Sequence, residues 1–207
     1  MPDNKTINPE LTRRNYLFEI RAEESGTGSI ITGRPIVYNS RTNLGYFDEI
    51  IEKGALNGAD LTDVRFLVNH DTNKIPLARS RKNADDSTMK LTVDDCGMSI
   101  SVNLDTENNA DSRSLYSAVK RGDITGMSFM FGISDEEWEN LESEHPTRHI
   151  RSISTVVEVS AVTFPAYEST EINARSAVET ARQSEQKSSD NDELKILKLK
   201  TKILGGF

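Results

Sequence analysis

A mixed α+β fold, mostly antiparallel β, is predicted by three features of this 207-residue chain. Roughly eight or nine short runs rich in β-branched and aromatic residues succeed one another at close spacing. The breaks between them carry Gly, Pro, Asn and Asp, the residues that turns require. Only one segment in the body combines helical periodicity with start and stop signals. Many short strands with few helices belong to a sandwich or a barrel.

At the N-terminus, residues 1–14 are polar and irregular and read as a mobile arm. Tyr16 to Ala22 reads as a strand. Ser29 to Gly33 and Pro35 to Tyr38 are β-rich and broken at Gly33 and Pro35, which places a bend or an edge there. Asn39 to Gly45 is turn-like, and Phe47 to Ile51 is a short apolar run. Val64 to His70 reads as a buried strand, with Ile75 to Ala78 coming after a turn. Met89–Val93 and Met98–Leu104 alternate with period two, and the Asp94-Asp95-Cys96-Gly97 joint between them predicts a hairpin. The helix spans about Asp111 to Arg121. Asn109 or Asp111 can cap it, Leu115 and Val119 share a face, and Gly122 ends it. Gly126 to Ile133 is apolar and aromatic, residues 135–149 form a charged loop, and Ile153 to Phe164 is a long β-rich run ended by Pro165.

The chain thus divides into an arm (1–14), a body (15–176), a polar linker (177–191) and a basic amphipathic segment (192–207). Hydrophobic residues make up 35%. With glycine the share is roughly 41%, a little under the usual globular range, so part of the length stays outside the core. No run reaches the ~20 apolar residues of a spanning helix, and the opening MPDNKTINPELTRRN has no apolar signal region. A net charge of −8 makes a poor general binder of nucleic acid. Cys96 is the only cysteine, which excludes an internal disulfide and suits a reducing compartment.

A few polar positions carry chemical interest. His145 and His149, four apart, have the spacing of a helical metal-ligand pair, but Pro146 and the charged surroundings oppose a helix and no third ligand is specified. No metal or other cofactor is therefore expected. His70 ends an apolar strand between Asn69 and Asp71. Ser128 lies among Met127, Phe129, Met130 and Phe131; Met130 replaces the second glycine of Gly-x-Ser-x-Gly, so the α/β-hydrolase elbow is not supported. Glu158 sits inside a β-branched run, where a carboxylate costs free energy unless a donor meets it. Each of these last three has an ordinary structural explanation. Jointly they supply a nucleophile, a base and an orienting acid, the set that makes a serine hydroxyl reactive at neutral pH.

Five blocks in order resemble the tailed-phage prohead (capsid maturation) serine protease family. They are Gly33–Asn39, Glu49–Leu56, Phe66–Asp71, Gly126–Phe129 and Glu158–Tyr167, spread over about residues 15–175. The resemblance implies a fold like that of the herpesvirus assembly proteases, a closed or partly closed antiparallel β-barrel with flanking helices. It implies His70 as base, Ser128 as nucleophile and Glu158 in the third position, where the herpesvirus enzymes are understood to use a second histidine. Those relatives carry arginines shortly after the third residue. Here the stretch reads Phe164-Pro165-Ala166-Tyr167, which leaves the oxyanion donor to a backbone N–H or to an arginine from elsewhere, such as Arg79. Asp71 is the weaker rival to Glu158, because strand neighbours point to opposite faces.

The resemblance further implies cleavage of the major capsid protein precursor, of scaffold, or of both, inside the assembling prohead in the host cytoplasm. It leaves room for self-cleavage and for a homodimer. The rival reading is a non-catalytic assembly scaffold with the same fold. The segment 194–204, with four lysines and no acid, suits an address that docks on an acidic scaffold or capsid-precursor segment.

Overall fold

The computed structural model describes residues 11–16, 20–25, 28–163 and 168–204. Two sheets enclose the core. The first contains β1 (Leu11–Tyr16), β4 (Arg41–Asn43), β5 (Asp48–Ile51), β6 (Asp63–Val68), β7 (Ala78–Arg81), β10 (Gly126–Glu139) and β11 (Thr147–Val162). β11 is its spine. One edge pairs with β10 in an antiparallel hairpin. The other edge pairs in parallel with β5 near its start and with β6 near its end. The second sheet is antiparallel throughout, in the order β2 (Ile20–Ser25), β3 (Gly28–Val37), β9 (Gly97–Leu104), β8 (Met89–Asp94).

Alternation decides what lies between the sheets. Ile31, Met98, Ile100 and Val102 from one side meet Phe66, Met127, Phe129, Phe131 and Val159 from the other. Helix α1 (Ala110–Arg121) packs against this core through Leu115 and Val119. The Asn109 side chain accepts the N–H groups of Asp111 and Ser112, and Gly122 ends the helix in the left-handed region at φ 79°.

The mixed, mostly stranded architecture matches the expected class; a closed barrel does not form. At one seam β7 and β8 lie side by side without a ladder. Thr88 Oγ1 accepts the N–H of Arg79 at 2.9 Å and Ser87 Oγ accepts that of Arg81 at 3.0 Å. Side-chain hydroxyls thus take the edge groups that strand pairing would use. At the other seam β3 bends: its register with β9 shifts between Gly33 and Ile36, and beyond the strand Asn39 N–H bonds to Ile51 O at 2.7 Å.

Other elements depart from expectation for local reasons. Residues 11–14, expected in the arm, belong to β1, and the strand expected over Tyr16–Ala22 is divided between β1 and β2; residues 1–10 and 17–19 lie outside the described residues. The strand expected over Ile75–Ala78 begins only at Ala78. The charged stretch 135–149, expected as a loop, is a loop only over 140–146, with strand on either side. Its charges are paired across the ribbon, Arg148 Nε to Glu136 at 2.9 Å and Arg151 to Glu137, and Arg148 also lies over the Trp138 ring. Residues 177–191, expected as a linker, run inside α2 (Glu168–Leu204). This helix rests on the tip of the β10–β11 hairpin, where Val178 joins Leu44, Phe47 and Leu141. Arg182 donates to the carbonyls of Leu141 at 2.9 Å and Ser143 at 2.7 Å. Among the described residues no helix is long and apolar enough to cross a membrane.

Candidate active site

Glu158 reaches its position through a slip in register. On β10 and β11, Met130 opposes Glu158 while Phe131 opposes Val156, so Val157 is an extra residue. Val156 and Val159 both face the core as a result, and Glu158 and Ser160 point to the opposite face. There Glu158 is 1% exposed. A buried carboxylate needs donors, and two meet it. His70 Nδ1 lies 2.5 Å from Oε1, and Ser160 Oγ donates to Oε2 at 2.6 Å.

His70 was expected at a strand end. Instead β6 stops at Val68, and Asn69 and His70 both adopt left-handed backbone, with φ of 53° and 58°. For histidine this costs roughly 1–2 kcal/mol. Several bonds to β11 offset that cost. Asn69 N–H donates to Ala161 O at 2.9 Å, and its side-chain oxygen accepts Thr163 N–H at 3.0 Å and Thr163 Oγ1 at 3.2 Å. His70 N–H donates to Ser160 Oγ at 3.1 Å. The turn carries the imidazole back over β11 to Glu158.

Ser128 lies in β10 and is fully buried. Its direct partner across the hairpin is Ser160. Direct partners in an antiparallel pair share a face with Cβ atoms about 4.5–5.5 Å apart. Ser128 therefore neighbours the hydroxyl that holds both the His70 backbone and the second oxygen of Glu158. On its other side Ser128 pairs with Asn15 of β1. The structure brings His70 and Glu158 into contact and sets Ser128 one strand away, on the same face.

The acceptors determine where the protons sit. An ionised Glu158 only accepts, so its bond to His70 places the imidazole proton on Nδ1 and leaves Nε2 with a lone pair. Such an imidazole can take a proton from an alcohol, and the carboxylate stabilises the imidazolium that results. Ser160 was not singled out in the sequence. Its signal is its place two residues after a buried acid on the same strand face.

The remaining candidates have other partners. Arg79 forks onto Asp63 at 2.5 and 2.7 Å, and the hydrogen bond from Arg79 holds Asp63 below the usual carboxylate value. Asp71 Oδ1 accepts Asn73 N–H at 3.1 Å within its own turn. His145 meets Asp48 at 2.9 Å, and His149 meets Glu52 at 3.1 Å. Among the described residues no group of three or more acids, histidines or cysteines is placed to hold a metal. Phe164–Tyr167, the stretch compared with the viral arginines, lies outside the described residues. Beside the His70–Asp71 turn a mostly apolar cavity of about 290 Å³ opens among Leu67, Val68, Leu77, Leu115, Ala118 and Ile124.

The family profile described as caudovirus prohead serine protease matches residues 17–184. Among solved structures, the bacteriophage T4 capsid assembly protease, gp21, is similar with a TM-score of 0.45 and 13% identity, covering 76% of this chain and 99% of the other. No curated protein matches the chain.

Proposed function

Because the chain belongs to the caudovirus prohead serine protease family, we propose that it is a serine endopeptidase of capsid maturation, with Ser128 as nucleophile, His70 as general base and Glu158 as orienting acid. The observation that carries this reading is the 2.5 Å contact between His70 Nδ1 and a Glu158 oxygen, on the face that Ser128 shares. Ser128 Oγ attacks the carbonyl carbon of a peptide bond as His70 Nε2 takes its proton. The tetrahedral intermediate collapses, the amine leaves with that proton, and an acyl-enzyme remains. Water, deprotonated by His70, then releases the acid and restores Ser128.

The substrates are the capsid-precursor chain, the scaffold, or both, cut inside the assembling prohead. The test is Ser128→Ala in a phage assembly assay. Shells should form with uncleaved precursor while the variant keeps the parent's thermal stability; precursor cleaved at the normal rate by that variant overturns serine catalysis. A fluorophosphonate probe separates the scaffold reading. Labelling lost in Ser128→Ala supports the enzyme, and no labelling in any assembly state supports a scaffold.

A further inference from the structure

Ser128 is fully buried, and the strand that carries it has its outer edge closed by the chain's own β1. The pairing runs without a slip from Leu11 opposite Gly132 to Tyr16 opposite Met127, with Asn15 opposite Ser128. The inner edge of β10 belongs to β11, which carries Glu158 and Ser160. Among the described residues the outer edge is thus the one place beside Ser128 where an extended chain can add to the sheet, and β1 is the terminal strand there.

We propose that this edge is the binding site for the substrate peptide, taken up as an added antiparallel strand, and that β1 holds the place until the substrate displaces it. The proposal rests on Ser128 being the nucleophile. Three observations support it. A strand in this register puts one of its residues directly opposite Ser128, with Cβ atoms within about 5.5 Å. β1 reads Leu-Thr-Arg-Arg-Asn-Tyr, a mostly polar run, and its first residue, Leu11, is 47% exposed. A continuous main-chain ladder joins it to β10, and any extended peptide can make the same bonds. Among the described residues β10 is also the only strand with which β1 pairs.

The test uses the full chain. Ser128→Ala prevents turnover, and Arg13→Pro with Arg14→Pro loosens β1. Successive N–H groups of an edge strand alternate between facing the neighbour and facing away, so one of two adjacent prolines removes a ladder bond. The probe is a fluorescein-labelled synthetic peptide of residues 9–18. Freeing an edge that is closed in all but 1–10% of molecules should tighten its binding by about 10- to 100-fold over the parent. Equal affinity in a proline variant that keeps its circular dichroism and melting temperature overturns the proposal. If the double variant does not fold, Leu11→Pro, at the far end of β1 from Ser128, carries the same comparison.

With Ser128 intact and β1 loosened, saturating peptide should slow fluorophosphonate labelling of Ser128 at least tenfold. Labelling undiminished by peptide also overturns the proposal. A chain that never labels, with or without the prolines, removes the nucleophile assignment instead and leaves the peptide-affinity result to judge the edge.

Discussion

Glu158→Gln keeps the size and shape of the side chain and removes its charge. The surrounding bonds determine its effect. Glu158 accepts from His70 Nδ1 on one oxygen and from Ser160 Oγ on the other, and the Ser160 oxygen already accepts the His70 N–H. A glutamine can satisfy only one of the two as before. If its oxygen faces Ser160, its NH₂ faces His70 Nδ1, the imidazole proton moves to Nε2, and the base is lost. If its oxygen faces His70, the tautomer survives, but the Ser160 hydroxyl loses its acceptor in a buried site. That orientation costs about 1–3 kcal/mol, so the competent form falls by about 5- to 150-fold. Loss of the charge that stabilises the imidazolium brings the total toward the ~10⁴-fold known for carboxylate-to-amide changes in serine triads. The assay is kcat for cleavage of a precursor-derived peptide, with thermal unfolding run alongside. Adding Ser160→Ala to Glu158→Gln removes the bond that drives the amide into the wrong orientation but also the acceptor of the His70 N–H, so it should restore only part of that factor of about 5 to 150. A Glu158→Gln enzyme within tenfold of the parent would refute the reasoning.

Asp71→Asn should leave peptide cleavage within about threefold of the parent, because Asp71 serves its own turn through Asn73 N–H and contributes no bond to the imidazole; a 10³-fold loss would make it the orienting acid. Gly97→Ala should lower the urea midpoint by the equivalent of at least about 2 kcal/mol. Gly97 has φ of 137°, and a Cβ there would overlap the carbonyl oxygen of Ile36. Acid should weaken the fold between about pH 4 and pH 2. The bidentate hydrogen bond from Arg34 pulls Asp94 to about 2, and the one from Arg79 holds Asp63 low. Burial alone would raise Asp48, but hydrogen bonds from His145 and Arg41 outweigh it and hold Asp48 below its ordinary 3.8. Carboxyls depressed in the folded state are protonated more readily in the unfolded one. Their contribution is therefore present above the unfolded value and lost as pH falls through the folded values. A urea midpoint flat across that interval would contradict these pairings.

Elements built from neighbouring residues were legible in the sequence. The hairpin at Asp94–Gly97 and the helix between Asn109 and Gly122 carry their turn and cap residues within a few positions, and both form as read. Elements decided at a distance were not. Alternating charges over 135–149 suggest a solvated loop, yet Glu136 and Arg148 pair across a ribbon whose tip is covered by α2. The residues from Gln183 to Asn191 include no hydrophobe, which signals a chain without a core. Helix formation needs propensity rather than burial, however, and Gln183, Glu185, Gln186 and Lys187 all have it. Barrel closure depends on whether β7 and β8 exchange backbone bonds. Ser87 and Thr88 settle that with hydroxyls that no periodicity marks.

The site shows the same division more sharply. Residue type and setting drew notice to His70, Ser128 and Glu158 one by one, and the family resemblance gave them a joint role. What joins His70 to Glu158 is a pair of local irregularities that strand alternation hides. Without the extra residue at Val157, regular alternation from Val156 would aim position 158 into the core, beside Phe66 and Phe129. Without left-handed backbone at Asn69 and His70, the strand reading of 64–70 would send the imidazole past the end of β6 instead of over β11. Asn69 tolerates that conformation and its side chain fastens the turn to Thr163, while Ser160 fixes the His70 N–H and the carboxylate at once. Asn69→Ala should therefore act through His70: it removes the Thr163 clamp without touching the Glu158 pair, so it should lower kcat more than it raises KM.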